Sequence, residues 1–362
     1  MNSEDRQLKV LKHIVDIFIE TGEPASSSAV CEKFRKSVSS ATIRNDMKKL
    51  EDLGFLQQPH TSAGRFPTHK GFRFYVNGLM KSENLKKEEK VYIDSLLKED
   101  LSSVSAIVEN ASLALADFTK LAVVSISNIP KFFVICKVDV IKTGQKVCAV
   151  FVVASSGEIK NKICRLSFDV DEKELEFFKK VVNESLVGNT VDVLNDELME
   201  KLALVFGSYF YGLFPLLKAL KEISQEILKR QINFKGEKNL LKYGGLEAKE
   251  LIEFMLAKNK IEQILTSAFS GINILFGKED GVFALENSSL IVAKYGIKEP
   301  LGSFGVIGPI RLNYEKILPY VSYFSEKISS LIEIVSREIK GGEGLWKNNR
   351  KILEIKRNLK KI

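Results

Sequence analysis

A short basic segment of the chain carries side chains that suit recognition of a DNA duplex. Ile43, Met47 and Leu50 recur at spacings of four and three residues, which predicts a helix with these residues on its inward face. The outward face then carries one guanidinium, one amide and two ammonium groups, from Arg44, Asn45, Lys48 and Lys49. Arginine can form two hydrogen bonds with guanine, asparagine can form two with adenine, and lysine neutralises phosphate. The helix is therefore predicted to read bases in the major groove.

The start of this helix supplies further groups that suit DNA. Ser39 or Ser40 is expected to cap the helix, and Thr42 lies in its first turn, where backbone N–H groups can hold a phosphate oxygen. Ser27, in the preceding helix, is also predicted to contact DNA. We expect this end of the helix to contact the DNA backbone.

The elements that must position this helix are visible upstream. Apolar residues recur at helical spacing from Leu8 to Ile19, the pattern stops at residues 21–24, and a second helix opens at Ser26. Residues 37–39 then form a tight connection into the third helix. Three helices in this order predict a helix-turn-helix.

A hairpin is predicted directly downstream. Residues 55–58 and 65–68 have strand character, and residues 59–64 form the turn between them. Arg65, beside this glycine-containing turn, is expected to enter the minor groove or bind a phosphate. The turn also holds three side chains that can donate to the DNA backbone, His60, Thr61 and Ser62. The whole segment is predicted to be a winged helix, and the alternative is a solvated amphipathic helix followed by an ordinary polar turn.

The positive charge of the chain is concentrated in two places. Residues 33–81 carry a net charge of +7 and residues 341–362 carry +5, whereas residues 1–32 carry −3 and residues 82–340 carry −1. A generally lysine-rich composition would not produce this distribution. A local excess of positive charge is typical of a nucleic-acid-binding surface.

Three blocks of the sequence closely resemble the heat-inducible transcription repressors of the HrcA family. They are TGEPASS, SSATIRNDMKKLEDLGFLQQPHTSAGRFPTHKGFRFYV and, far downstream, GSFGVIGPIRLNYEKILPYV. The resemblance implies a dimeric repressor with an N-terminal winged helix, a GAF-like domain and a dimerising segment inserted into that domain. It also implies an inverted-repeat operator, called CIRCE, ahead of chaperone operons, and a GroEL-type chaperonin that helps the repressor to fold.

The sequence departs from the family pattern in two places. Ser26 stands where the family usually has Gly, which leaves the entry into the second helix less defined. The usual Tyr-Arg-Tyr after the wing is Phe72-Arg73-Phe74 here, so the two hydroxyl groups are missing and a tyrosine–phosphate contact is not expected.

The strand patterns in the rest of the chain predict how the domains are arranged. After a helical pattern from Leu85 to Lys120, three β-branched and aromatic runs read as an antiparallel meander, and strand character returns only near residues 272–312. A mostly helical block lies between, so we expect a helical insertion into one α+β domain. The predicted multidomain α+β organisation is a winged helix-turn-helix at 1–80, a connecting helix at 81–103, a split GAF-like domain at 104–166 and 266–340, an inserted dimerisation domain at 167–265, and a basic tail at 341–362.

One apolar stretch in the predicted insertion is a candidate dimer interface. It contains more apolar residues than one helix face requires, and the candidates are Tyr209, Phe210, Leu213, Phe214 and Leu217. Contact with a second copy and packing inside the insertion explain the stretch equally well, and both remain open.

Catalytic and metal sites find little support in the sequence. No two of the four cysteines are spaced as in Cys-x-x-Cys, and the chain has three histidines, so a metal site is not indicated. No Ser-His-Asp arrangement or paired-carboxylate motif indicates a catalytic site. Glycines 302, 305 and 308 are not followed by the Lys-Ser or Lys-Thr of a phosphate loop. We therefore expect no enzyme activity, no metal and no cofactor.

The predicted location is the cytoplasm, without a membrane partner. The chain begins MNSEDRQ, which lacks the apolar run of a signal peptide, and its longest apolar runs are too short to span a bilayer. The basic tail at 341–362 can be read as a DNA contact, a contact for an acidic partner, or a solvated helix. The alternative function is that of a ligand-responsive regulator, in which a small molecule in the GAF-like domain changes the spacing of two winged helices.

Overall fold

The computed structural model describes residues 2–59, 64–80, 83–97, 102–127, 134–242, 248–268, 271–277, 283–296 and 300–335. The tail predicted at 341–362 lies outside these ranges, as do His60 and Ser62 of the predicted wing.

The N-terminal unit, residues 2–80, has the elements predicted from its sequence. It contains α1 (Ser3–Thr21), α2 (Ser27–Lys33), α3 (Ser40–Asp52), the antiparallel pair β1 (Leu56–Gln57) and β2 (Phe66–Pro67), α4 (His69–Phe74), and a π-helical turn (Tyr75–Leu79). α1 ends where Gly22 adopts a left-handed φ of +77°, which a residue without a side chain adopts at little cost. The Ser26 hydroxyl accepts a hydrogen bond from the N–H of Ala29 and caps α2.

The apolar stripe predicted for α3 faces the interior. Ile43, Met47 and Leu50 are buried and share one core with Val10 and Ile14 of α1. This burial stabilises the three-helix arrangement and also determines which face of α3 points outward.

The remaining elements follow in chain order. They are α5 (Lys87–Leu96), α6 (Val104–Thr119), β3 (Ala122–Ser127), β4 (Ile135–Gly144), β5 (Val147–Ala154), β6 (Ile159–Arg165), α7 (Glu172–Leu186), α8 (Asp196–Phe206), α9 (Phe210–Leu228), β7 (Gln231–Lys235), α10 (Glu237–Leu240), α11 (Ala248–Leu256), α12 (Lys258–Ser267), β8 (Ile272–Phe276), β9 (Ser288–Tyr295), β10 (Gly302–Pro309) and the helical residues 314–335, here α13.

Within the described residues, five strands form one antiparallel sheet in the order β7-β3-β10-β9-β8. Helices α6 and α13 pack on the face that carries Val123 and Val306. Helices α10, α11 and α12 pack on the opposite face, which carries Val124 and Ile307. We call this α+β assembly the sheet unit.

A second sheet, of strands β4-β5-β6, packs against α7, α8 and α9 and has its own core. The chain leaves the sheet unit after Ser127 and returns to it at Gln231, and these two residues are register partners on β3 and β7. The assembly of β4 to α9, which we call the three-stranded unit, is therefore inserted between two adjacent strands of the sheet unit.

The observed topology differs from the predicted insertion at 167–265. Strands β4, β5 and β6 pack with α7–α9, although their pattern assigns them to the split domain. Strand β7 lies inside the predicted helical block but pairs with β3, so β3 is not part of a meander with β4–β6. Local periodicity identifies a strand, whereas its sheet is chosen by contacts that are distant in sequence.

The predicted connecting helix at 81–103 is shorter in the structure. Helix α5 covers only its middle and lies along α13, where the Tyr320 hydroxyl donates to Glu89 at 2.5 Å and the Tyr323 hydroxyl donates to Asp94 at 2.9 Å. These two hydrogen bonds fix the connection between the N-terminal unit and the sheet unit.

One stretch in the described part of the chain, Asp196–Leu228, has the length and composition of a membrane-spanning helix, because it contains an 18-residue window with a mean hydropathy of 1.4. A 3₁₀ turn at Gly207–Tyr209 interrupts it, and Leu216 and Leu220 of α9 lie in the core of the three-stranded unit.

Candidate nucleic-acid interface

The outer face of α3 carries the cationic and amide groups predicted to read DNA. Ala41 and Asp52 of α3 are exposed, and so are the four side chains predicted to contact DNA, Arg44, Asn45, Lys48 and Lys49. They lie opposite the buried stripe and on one continuous helix, so the structure brings them together on a single accessible surface. A rigid helix that presents such groups can enter a major groove as one body.

The hydroxyl groups at the start of α3 have separate roles. The Ser39 Oγ accepts a hydrogen bond from the N–H of Thr42 at 3.1 Å, so Ser39 is the cap and Ser40 is not. The Ser40 Oγ instead shares a hydrogen bond of 2.9 Å with the Oγ of Ser27. The Ser27–Ser40 pair joins α2 to α3 and leaves both hydroxyls half-buried beside the exposed face.

A buried carboxylate on α3 was missed by the sequence analysis. Asp46 is only 1% exposed, and the Nε of Arg6 on α1 donates to its Oδ2 at 2.6 Å. This hydrogen bond is the main cause that raises the pKa of Arg6. The sequence does indicate this buried acid, because position 46 lies three residues after Ile43 and four before Leu50 and therefore borders the apolar stripe. A carboxylate buried there needs a partner.

Arg65 lies directly before β2 of the hairpin, and its side chain contacts α3. Its Nε donates to Oε2 of Glu51 on α3 at 2.9 Å, its Nη2 lies 2.8 Å from the same oxygen, and its side chain is only 14% exposed. The guanidinium that the sequence predicts to contact DNA therefore forms an ion pair within the chain. The reason is that Glu51, near the end of α3, faces the returning strand of the hairpin. His60 and Ser62 lie outside the described residues.

A polar cluster joins the N-terminal unit to the sheet unit. The Tyr75 hydroxyl donates to Asp16 at 2.9 Å and to Glu315 at 3.4 Å, and the Lys12 ammonium lies 3.0 Å from Asp16 and 3.4 Å from Glu315. Burial, followed by the two carboxylates, raises the pKa of Tyr75 above its ordinary value. The phenol therefore stays protonated and links α1 to the start of α13.

Aromatic packing reinforces the same junction. The Phe72 ring, where the family pattern has Tyr, is buried with its centroid 6.0 Å from Phe276 and 6.4 Å from Tyr314. Position 72 therefore belongs to the core between the two units, which explains why Phe is accommodated there.

The described residues contain no group of three or more His, Cys, Asp or Glu side chains that is placed to hold a metal ion. The four cysteines are free, and burial is the main cause that raises the pKa of Cys164, to about 11. Cys164 lies opposite Cys148 in the register of β5 and β6. Burial also raises the pKa of Cys136 and of Cys148. A raised pKa disfavours the reactive thiolate, so these three thiols act as apolar packing.

Comparisons with known proteins bear on this arrangement. A sequence model described as the HrcA protein C terminal domain matches residues 105–318, more than half of the chain. The heat-inducible transcription repressor HrcA of Acetivibrio thermocellus is 32% identical over 347 residues, which covers 93% of this chain and 99% of the relative. This chain belongs to the HrcA family of heat-inducible transcription repressors. It is a repressor and not an enzyme, as the sequence predicts.

Two further comparisons agree with the HrcA assignment. The heat-inducible transcription repressor HrcA of Ruminiclostridium cellulolyticum is 30% identical over 338 residues, 91% of this chain and 97% of the relative. A crystal structure described as that of a hypothetical protein matches with 27% identity and a TM-score of 0.66, covering 91% of this chain and 99% of that chain. The match to the HrcA C-terminal domain runs from α6 into α13, so it includes the three-stranded unit as well as most of the sheet unit.

Proposed function

We propose that this HrcA-family repressor binds an inverted-repeat operator of the CIRCE type with α3 in the major groove and the β1–β2 hairpin as a wing. The observation that carries the proposal is the outer face of α3, where exposed Arg44, Asn45, Lys48 and Lys49 stand above a buried apolar stripe. Arginine and asparagine supply base contacts, and the two lysines supply phosphate contacts. Occupation of an operator that overlaps a promoter would then block transcription.

The proposed mode of DNA binding assigns a role to each domain. Residues 1–80 form the winged helix-turn-helix, and the sheet unit is the GAF-like domain. The proposed dimerising insertion is the three-stranded unit, which replaces the predicted boundaries of 167–265 because β3 and β7 pair at Ser127 and Gln231.

We propose that two copies pair through the three-stranded unit. Leu213 and Leu217 do not take part, because both are buried in the core of their own chain. Apolar side chains nearby are exposed, with Leu204 at 83% and Tyr211 at 80%, and Tyr209 and Phe214 are about half exposed. Phe210 lies partly buried between Tyr211 and Phe214. An exposed apolar patch of this kind is typical of a surface that a partner covers.

Dimerisation of the repressor would strengthen its binding to DNA. One winged helix contacts few bases, whereas a two-fold dimer adds the free energies of two half-sites and fixes their spacing. The cytoplasmic location and a GroEL-type chaperonin as folding partner are further parts of the proposal, and both are supported by the family resemblance.

The proposed binding mode is tested with three duplexes of equal length. They carry the full inverted repeat, a single half-site, and the inverted repeat with about five base pairs inserted at its centre, which rotates one half-site by half a turn. We expect tight binding to the first duplex alone. Equal binding to all three would show that the two half-sites are not read together.

A further inference from the structure

The ion pair between Arg65 and Glu51 connects the wing to the DNA-facing helix. The Nε of Arg65 donates to Oε2 of Glu51 at 2.9 Å, and its Nη2 lies 2.8 Å from the same oxygen. The two side chains are 14% and 30% exposed. A hydrogen bond between two charged groups is stronger than one between neutral groups, and a partly buried pair of this kind restrains both side chains. The pair therefore fixes the position of β2 relative to the end of α3.

The backbone around Arg65 is held just as closely. The N–H of Ala25 donates to the carbonyl oxygen of Arg65 at 2.8 Å, and the N–H of Arg65 donates back to Ala25 at 3.0 Å. A Cβ at Gly64 would lie 2.4 Å from the carbonyl oxygen of Ala25, so the chain can approach this closely only with glycine. Arg65 is thus tied to the segment between α1 and α2 by its backbone and to α3 by its side chain.

The ion pair also neutralises a negative charge beside the outer face of α3. Glu51 follows Lys48 by three residues and Arg44 by seven, so these three side chains lie along one line of the helix. A carboxylate beside a base-reading face repels phosphate unless a cation neutralises it. Arg65 supplies this cation from the wing.

We propose that Arg65 and Glu51 are a positioning pair that sets the wing against the base-reading helix, and that Arg65 does not act as a DNA contact. This inference rests on the proposed function of α3 as the base-reading helix. A DNA phosphate could bind Arg65 only in competition with Glu51, at the cost of the link between wing and helix.

The two roles of Arg65 predict opposite effects of Glu51→Gln. This substitution removes one negative charge near the DNA, which by itself tightens DNA binding. If Arg65 is a positioning residue, Glu51→Gln loosens the wing, and operator affinity falls by roughly tenfold despite the more favourable charge. If Arg65 contacts phosphate, Glu51→Gln releases it, and operator affinity rises.

The experiment measures operator and scrambled-duplex affinity for wild type, Glu51→Gln, Arg65→Gln and the double variant, over a salt series. We expect each single variant to lose about tenfold on the operator and the double variant to lose about as much as either single one. Asp52→Asn is the matched control, because it removes the same charge from the neighbouring, exposed position of α3. We expect it to bind the operator as tightly as wild type or slightly more tightly.

Tighter operator binding by Glu51→Gln, or losses that add in the double variant, would overturn the positioning role. Absence of operator preference in the wild type would instead count against the proposed function, and it would remove the functional role of the pair with it. Hydrogen exchange gives a readout without DNA, since Glu51→Gln should accelerate exchange of the Ala25 and Arg65 amides. Unchanged exchange in a folded variant would show that the pair does not hold the wing.

Discussion

The Nε of Arg6 on α1 lies 2.6 Å from the Oδ2 of Asp46 on α3, at a carboxylate that is 1% exposed. Helix α3 is thus held on its inner side by Arg6 and near its end by Arg65, directly before β2. Two arginines from different elements therefore fix α3, while its own cationic side chains point away from the core.

Replacing Arg6 with Met is expected to destabilise the N-terminal unit. Asp46 would keep a buried charge after losing its principal donor, and we expect the midpoint of thermal unfolding to fall by about 5 °C. The double variant Arg6→Met with Asp46→Leu removes both charges and should recover most of this loss. Circular dichroism melts of the three proteins test the idea, and an unchanged midpoint for Arg6→Met would contradict it.

Arg44→Ala should weaken binding to the operator by about 1 to 3 kcal/mol, because it removes the two-bond contact with a base that we propose for Arg44. Binding to scrambled DNA should fall much less, so the ratio of the two affinities is the quantity to measure. Equal losses on both duplexes would contradict a base-reading role for Arg44.

Lys48→Ala should weaken binding to operator and scrambled DNA to similar extents. A lysine–phosphate contact releases counterions, so its loss should also reduce the slope of log K against log salt by about one unit. A salt slope identical to that of the wild type would show that Lys48 lies away from the phosphates.

Mild acid is expected to destabilise the N-terminal unit through His13, whose ring lies 5.1 Å from that of Phe34. Burial is the main cause that lowers the pKa of His13 below the ordinary 6.5, with nearby lysines adding to the effect and Asp16 opposing it. The unfolded chain therefore binds this proton first, and the stability that the neutral ring contributes is present above about pH 6.5 and is lost as the pH falls towards the folded pKa.

His13→Gln is the variant that tests this pH dependence. Its free energy of unfolding should fall less than that of the wild type between about pH 7.5 and pH 5.5. The comparison uses the difference between the two pH values, so a constant effect of the substitution cancels. Parallel curves for the two proteins would exclude His13 as the cause.

Replacing both Leu204 and Tyr211 with Ser is expected to convert a dimer into a monomer at micromolar concentration. Each substitution acts twice across a two-fold interface, so the dimer dissociation constant should rise by about a hundredfold or more. Ile252→Ser on α11 is the matched control, because this side chain is 57% exposed but lies outside the three-stranded unit. Sedimentation analysis would contradict the assignment if both variants stayed dimeric.

The helices and the hairpin of the N-terminal unit are largely predictable, because residues close together in the sequence define them. The spacing of Ile43, Met47 and Leu50 fixes the outward face of α3, and a cap and a turn mark its ends. The partners of Asp46 and Glu51 are 40 and 14 residues away, and no periodic pattern identifies such contacts. The insertion was misplaced for the same reason, since the pairing of β3 with β7 spans about a hundred residues.

We propose that this HrcA-family chain recognises an inverted-repeat operator by sequence and, as the family resemblance implies, releases it on heating. The most direct measurement is fluorescence anisotropy of the purified protein with the CIRCE-type operator and a scrambled duplex, over a salt series at two temperatures. We predict a preference for the operator of about a thousandfold or more at moderate salt, and its loss at the higher temperature. Equal affinity for the two duplexes at the lower temperature, at every salt concentration, would contradict the account.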